Sequence, residues 1–190
     1  MPPRRDRRAE ILSTAARMYA VSGFHGVSID DLGAELGISG PAIYRYFAGK
    51  EAILSEMLVD ISRRLLEGAT ARVAEHHDPE DQLTALIDFH TDFALTEPEL
   101  IAVQFRDLGS APERERRQVR ALQRQYVGIW VEVLQAVYPG VSEQRARMSA
   151  QAVFGLLNST PFSGRAGEPR MDDVLRGMAA AALAAGCTTT

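Results

Sequence analysis

The chain has 190 residues, 46% of them hydrophobic, a net charge of -4 and a single cysteine, Cys187. That is enough chain to bury a core without disulfides, and one thiol excludes both an internal bridge and a cysteine-based metal site. No apolar run nears the roughly 18 residues of a membrane span, and the start MPPRRDRR lacks an apolar export segment, so a cytoplasmic protein with no membrane partner is expected.

Charge divides unevenly along the chain. Residues 1–50 hold seven Lys+Arg against five Asp+Glu, whereas the remainder holds 14 against 20, which makes the N-terminal end the candidate nucleic-acid end. Arg4, Arg5, Arg7 and Arg8 precede the first apolar stripe. They read either as a flexible arm along phosphates or in a minor groove, or as a solubilising tail. Apolar residues Ile11, Leu12, Ala15, Ala16, Met18 and Tyr19 then recur at helical spacing up to Ser22 and Gly23, a C-terminal glycine signal.

Ser28 stands three residues before Asp31, in capping-box spacing, and opens a short helix that ends at Gly37. Ser39 can cap a third helix, with Pro41 in its first turn, running to Tyr46 or Phe47. A helix-turn-helix needs two short helices, a tight turn and a small residue where the backbones meet. Gly37 supplies the turn and Gly33 the close approach. Leu32, Leu36, Ile38, Ile43 and Phe47 form the apolar wedge, which leaves residues 39–46 facing outward, as a recognition helix must to enter a major groove.

Beyond residue 48 a cap and a proline open one long amphipathic segment after another. Asp78-Pro79, Thr96-Glu97-Pro98-Glu99 and Ser110-Ala111-Pro112-Glu113 each mark a helix start, the last two with capping-box spacing, and Ser142 caps another after Pro139-Gly140. The spacing predicts helices near 50–75, 79–95, 98–108, 112–137, 142–159 and 171–185, with a Gly- and Pro-rich loop over 161–169. With no strand alternation, the expected fold is all-α, about nine helices: a three-helix DNA-binding domain over 1–48 and a helical bundle over 49–190.

The segment IDDLGAELGISGPAIYRYFAGKEAIL, residues 29–54, resembles the signature of tetracycline-repressor (TetR) type transcriptional regulators. The resemblance covers about residues 9–57 and rests on Gly-Ile-Ser, Ile-Tyr-Arg-Tyr-Phe and Gly-Lys-Glu in that order, with Gly23, Phe24 and Ser28 before them. It implies that Ser28, Ser39, Tyr44, Tyr46 and Lys50, the only lysine, contact phosphates. Gly40, Pro41, Ala42 and Arg45 then face the groove, Arg45 alone being able to pair with a guanine edge unless it too meets a phosphate. Gly40 departs from relatives that carry a longer polar side chain there, so base readout by this helix is expected to be sparse.

The last segment contains MAAAALAA over 178–185, apolar all round, and the helix before it carries Ala146, Ala150, Val153 and Leu157 on one stripe and Met148, Ala152 and Gly155 on another. One stripe suits the chain's own core and the other a second copy. The expected dimer face takes Ala146, Ala150, Val153 and Leu157 with Val174, Met178 and Ala181. A symmetric homodimer then matches a palindromic double-stranded operator.

The middle helices carry Met57, Ile61, Leu65, Phe89, Phe93, Phe105, Tyr126, Trp130 and Phe154, read either as core or as the lining of a pocket. In the resembled family this region encloses a ligand between the fourth and eighth helices. That makes all of these but Leu65 ligand candidates, with His90, Arg106, Gln123 and Asn158 as polar groups. Arginines 114, 116, 117, 120 and 124 are a solvated face or suit a carboxylate or phosphorylated carrier. The stretch over 120–134 is similar to the matching helix of regulators that respond to acyl-CoA thioesters. The resulting expectation is a repressor released from its operator by a small apolar or acyl-CoA-like effector, with no cofactor, no metal and no catalysis. No histidine follows a glutamate at di-iron spacing, and no phosphate loop or nucleophile elbow occurs. A helical lipid carrier that ignores DNA is the alternative, and it leaves residues 39–50 unexplained.

Overall fold

The computed structural model describes residues 4–162 and 171–188, with side chains from Arg7 onward. Among the described residues there are nine α-helices, one 3-10 turn and no strand: α1 Arg4–Ser22, α2 Ile29–Glu35, α3 Gly40–Ile43, α4 Lys50–Ala74, α5 Pro79–Thr96, α6 Pro98–Asp107, the 3-10 turn Leu108–Ser110, α7 Glu113–Val137, α8 Glu143–Leu157 and α9 Met171–Cys187. The loop expected over 161–169 lies outside the described residues from 163 onward.

Local chemistry accounts for most boundaries. Gly23, Gly37 and Gly140 sit at φ +77°, +65° and +103°, where a Cβ would be strained, and each ends or separates helices. Asp78 accepts the Glu80 N–H at 2.8 Å ahead of Pro79, and Ser142 accepts the Arg145 N–H at 3.2 Å. Two expected caps act differently. Thr96 still belongs to α5 and bonds back to Asp92 O at 2.7 Å, because a single residue, Glu97, joins α5 to α6. Ser110 instead lies 3.1 Å from His25 Nε2. The third helix is shorter than expected: after Ile43 the chain tightens, Tyr46 N–H reaching Ile43 O at 2.9 Å and Phe47 N–H the same oxygen at 3.1 Å.

The chain forms two compact units, Met1–Ile61 with Glu99–Val119, and Ser62–Pro98 with Arg120–Thr190. This grouping by compactness differs from a division at residue 48, since the first unit also takes in the start of α4, α6 and the beginning of α7. Its core holds Ile11, Tyr19, Leu32, Ile43, Ile53, Leu54, Leu58 and Ile61, each at most 1% exposed. Burying each of the aliphatic side chains among these contributes roughly 1.5–3 kcal/mol.

In the second unit α8 packs on α9, and both pack on α5. Ala146, Ala150, Val153 and Leu157 are at most 1% exposed and join this core with Leu175, Ala179 and Leu183. That corrects the expected dimer face: the α8 stripe assigned to a partner faces the chain's own core. The outward α8 stripe is the other one, Met148, Ala152 and Gly155, and on α9 Val174, Met178 and Ala181 are exposed. Arg176 ties α9 to α5 through Asp88 at 2.8 Å and Asp92.

Candidate functional site

In the N-terminal unit the turn and both short helices are locked by their own residues. Ser28 caps α2 reciprocally: its Oγ accepts the Asp31 N–H at 3.1 Å, while Asp31 Oδ2 accepts the Ser28 N–H at 2.8 Å and the Ser28 hydroxyl at 2.6 Å. Those bonds favour the ionised carboxylate and hold its pKa below the usual range. Gly33 is buried where the two helices meet, and a Cβ there would come within 2.8 Å of Ile38 O and 3.0 Å of Gly40 N. Ile43 and Phe47, 0% and 3% exposed, wedge α3 in place.

The opposite face of this short rod is open. Ser39, Pro41, Tyr44 and Arg45 are exposed, Tyr44 by 57%, and Ala42 and Tyr46 are half-buried. Gly40 is the exception among the residues expected to face a groove. It is buried, and a Cβ on it would run into the Asp30 carboxylate, so this position packs α3 against α2 and offers nothing outward. Ser28 is exposed at the start of α2.

The expected flexible arm is helical from Arg4. The side chains of Arg4 and Arg5 lie outside the described residues, while Arg7 pairs with Glu10 at 2.8 Å. Arg8 is turned inward. Its Nε donates to Glu56 Oε1 at 2.7 Å, its Nη2 to Glu56 Oε2 and its Nη1 to Tyr46 O, and the guanidinium lies 4.1 Å from the Phe47 ring centroid. Arg8 therefore ties α1 to α4 and to the end of the α3 segment, and the Glu56 bonds raise its already high pKa. Lys50 Nζ donates to Phe24 O and Val27 O, both at 3.1 Å, which leaves one N–H for an outside acceptor.

The ligand candidates separate into two groups. His90, Phe93, Tyr126, Trp130, Phe154 and Asn158 come together in the second unit. His90 stacks on Phe154 with centroids 4.9 Å apart and planes at 4°, and Trp130 meets Phe154 edge-on at 5.0 Å. His90 Nδ1 lies 2.8 Å from the Tyr126 hydroxyl and Nε2 3.1 Å from Asn158 Oδ1. Burial pushes the His90 pKa down to about 4 against a smaller opposing effect of Asn158, and it pushes the Tyr126 hydroxyl up. Both groups are neutral near pH 7. With the Asn158 oxygen turned to Nε2, that nitrogen carries the proton and Nδ1 accepts from Tyr126.

Phe89 lies beside this group, its ring occupying the space that a Cβ on Gly68 would need, and Gln123 is half-buried on α7. Met57, Ile61, Phe105 and Arg106 fall in the other unit. Met57 and Ile61 are 4% and 1% exposed in its core, Phe105 is 84% exposed, and Arg106 is spent on α1 carbonyls: its Nη1 donates to Ala20 O at 3.2 Å and its Nη2 to Tyr19 O. Nothing in local spacing signals that last pairing, since 86 residues separate Arg106 from Ala20.

Residues 11–57 match the model of the tetR family of bacterial regulatory proteins, and residues 76–185 match a tetracycline-repressor-like C-terminal domain, more than half the chain. The chain belongs to the tetR family of regulators. It is similar to the HTH-type transcriptional regulator EthR of Mycolicibacterium smegmatis, 41% identical over 63 residues, 33% of this chain and 29% of that protein, so the match takes in less than a third of that regulator. It is also 21% identical to a fatty acid metabolism regulator of Bacillus subtilis over 84% of each chain. Among solved structures, a TetR-family regulator from Bordetella parapertussis shares the fold with a TM-score of 0.86 at 24% identity, over 93% of both chains. AibR, solved with isovaleryl coenzyme A and operator DNA, shares it with a TM-score of 0.78 at 18% identity, over 92% of this chain and 97% of that one. Among the described residues of this TetR-family chain, no helix is long and apolar enough to cross a membrane.

Proposed function

We propose that the chain is a cytoplasmic repressor that binds a palindromic operator as a homodimer and releases it when a small apolar or acyl-CoA-like effector binds, without catalysing a reaction. The observation that carries this reading is the short segment of residues 39–46: packed from behind through Gly33, Ile43 and Phe47, it presents Ser39, Pro41, Tyr44 and Arg45 to solvent. In the proposal residues 1–48 read DNA and residues 49–190 bind effector and partner. Ser28, Ser39, Tyr44, Tyr46 and the remaining Lys50 N–H meet phosphates, helped by Arg4 and Arg5, while Pro41, Ala42 and Arg45 face the bases.

The partner face is the outward stripe of α8 and α9, Met148, Ala152 and Gly155 with Val174, Met178 and Ala181, where small residues allow close approach. The effector site is the aromatic group around His90, Tyr126, Trp130 and Phe154, with Asn158 and the neutral imidazole as hydrogen-bonding groups and Phe89, Phe93 and Gln123 at its margin. The effector class is supported by two relatives, a fatty acid metabolism regulator and a protein seen bound to isovaleryl coenzyme A.

The test is retardation of DNA flanking the coding sequence, titrated with salt and then with acyl-CoA, free CoA and free fatty acid. Binding that weakens with salt and is relieved by one acyl ligand, with a change in the fluorescence of Trp130, the only tryptophan, is the expected result. Ligand binding without any retardation would support a lipid carrier instead.

A further inference from the structure

We infer that Arg106 is a positioning residue for DNA reading. It holds the turn between α1 and α2, and through that turn the α3 rod, without itself touching nucleic acid. The inference rests on the DNA-binding reading above and assigns Arg106 a task outside the effector site.

Helix α1 ends at Ser22, and the carbonyls of its last turn sit at the negative end of the helix. The Arg106 guanidinium docks there, donating to Tyr19 O and Ala20 O. It also packs against the left-handed Gly23, whose missing Cβ would stand 3.7 Å from Arg106 Nε. Its orientation is set by its neighbour: the Asp107 carboxylate, 5% exposed, accepts from Nε at 3.3 Å and from Nη2 at 3.1 Å. A planar fork with five donors reaches the two carbonyls and grips the carboxylate through two of its nitrogens at once, four contacts against the three donors of a lysine.

The same stretch grips the turn again further along, where Ser110 Oγ lies 3.1 Å from His25 Nε2 and Ala111 is buried. Lys50 holds the turn as well, through its bonds to Phe24 O and Val27 O and its position 4.5 Å from the Phe24 ring centroid. Two cations from different helices therefore pin residues 19–27. Val27, 3% exposed, leads directly into the Ser28 cap of α2, and α2 abuts α3 at Gly33 with no room for a Cβ. A turn released by Arg106 carries α2 and α3 with it as one piece. Residues 106–111 are thus part of the machinery that aims the reading rod, although they are remote from it in sequence.

Full-length wild type, Arg106→Ala, Arg106→Lys and the double variant Arg106→Ala with Asp107→Ala test this. The double variant keeps the test valid if Arg106→Ala, which strands a buried carboxylate, does not fold. The probes are a duplex selected by the wild type from a random-sequence pool and bulk sheared DNA. Affinity is corrected for folded fraction and followed against salt. Loss of the guanidinium is expected to weaken the selected duplex by about tenfold or more. The loss on sheared DNA is smaller, the salt slope stays unchanged, and Arg106→Lys recovers part of the affinity. Equal weakening on both probes, or no weakening, overturns the inference by leaving Arg106 a merely structural role. A slope reduced by about one overturns it by making Arg106 a phosphate ligand. Failure of the wild type to retard either probe defeats the DNA-binding reading itself, which is a separate result.

Discussion

The α2–α3 pair and the α8–α9 pair are both helix-on-helix contacts, yet they are specified in opposite ways. In the first, single residues fix the geometry: the Ser28 cap starts one helix, Gly37 turns the chain, and Gly33 admits the second helix at a distance no other residue allows. In the second, each α8 stripe is apolar or small enough to be buried, and only packing on α5 and α9 decides that Ala146, Ala150, Val153 and Leu157 go inside while Met148, Ala152 and Gly155 stay out. Contacts fixed by a backbone requirement can be read from a short window. Contacts chosen between two similar surfaces cannot.

The sharpest way to break this contrast is to place a charge on each α8–α9 stripe in turn. Val153→Asp buries an unpaired carboxylate and is expected to cost about 4 kcal/mol, read as a lower midpoint in urea unfolding. Met178→Asp is expected to leave the subunit folded but to shift the sedimentation of the protein toward monomer. If the two variants exchanged these behaviours, the inward stripe would be the wrong one.

Gly33→Ala probes the other pair. The added methyl meets Ile38 O and Gly40 N, so a loss of about 1–3 kcal/mol is expected, with duplex retardation lost and Trp130 fluorescence unchanged. A comparable effect comes from acid. The folded His90 pKa, about 4, lies below its ordinary value of 6.5, so the unfolded chain binds the extra proton first. Stability from this group is complete above pH 6.5 and declines as pH falls toward 4, by an amount on the order of a few kcal/mol. Urea midpoints of the wild type should fall over that interval, and His90→Gln should flatten the fall. The smallest effect is expected from Ser28→Ala, about 1 kcal/mol from the lost cap, measured by thermal melting.

The site was legible unevenly, for related reasons. The apolar wedge, the turn glycine and the capping box of the reading head lie within twenty residues and follow local rules, and each occurs where the spacing puts it. The inward turn of Arg8 onto Glu56 and the docking of Arg106 on α1 depend on residues brought together from a distance, and the burial of Gly40 against Asp30 on how two neighbouring helices cross. A charged side chain looks the same in sequence whether water, a carbonyl or a phosphate will receive it. The aromatic candidates divided likewise: Phe93, Tyr126, Trp130 and Phe154 converge on His90, while Phe105, equally apolar, stands 84% exposed in the other unit.

By itself the order of residues settled the helical class, the boundaries of the helices beyond residue 48 to within two residues and the presence of the helix-turn-helix. Period, caps, prolines and left-handed glycines act over one or two turns of backbone. Which face each helix buries, and whether a given arginine points at solvent or at its own chain, was decided only by the folded arrangement. Those choices compare the free energies of alternative partners, and the partners lie tens of residues apart.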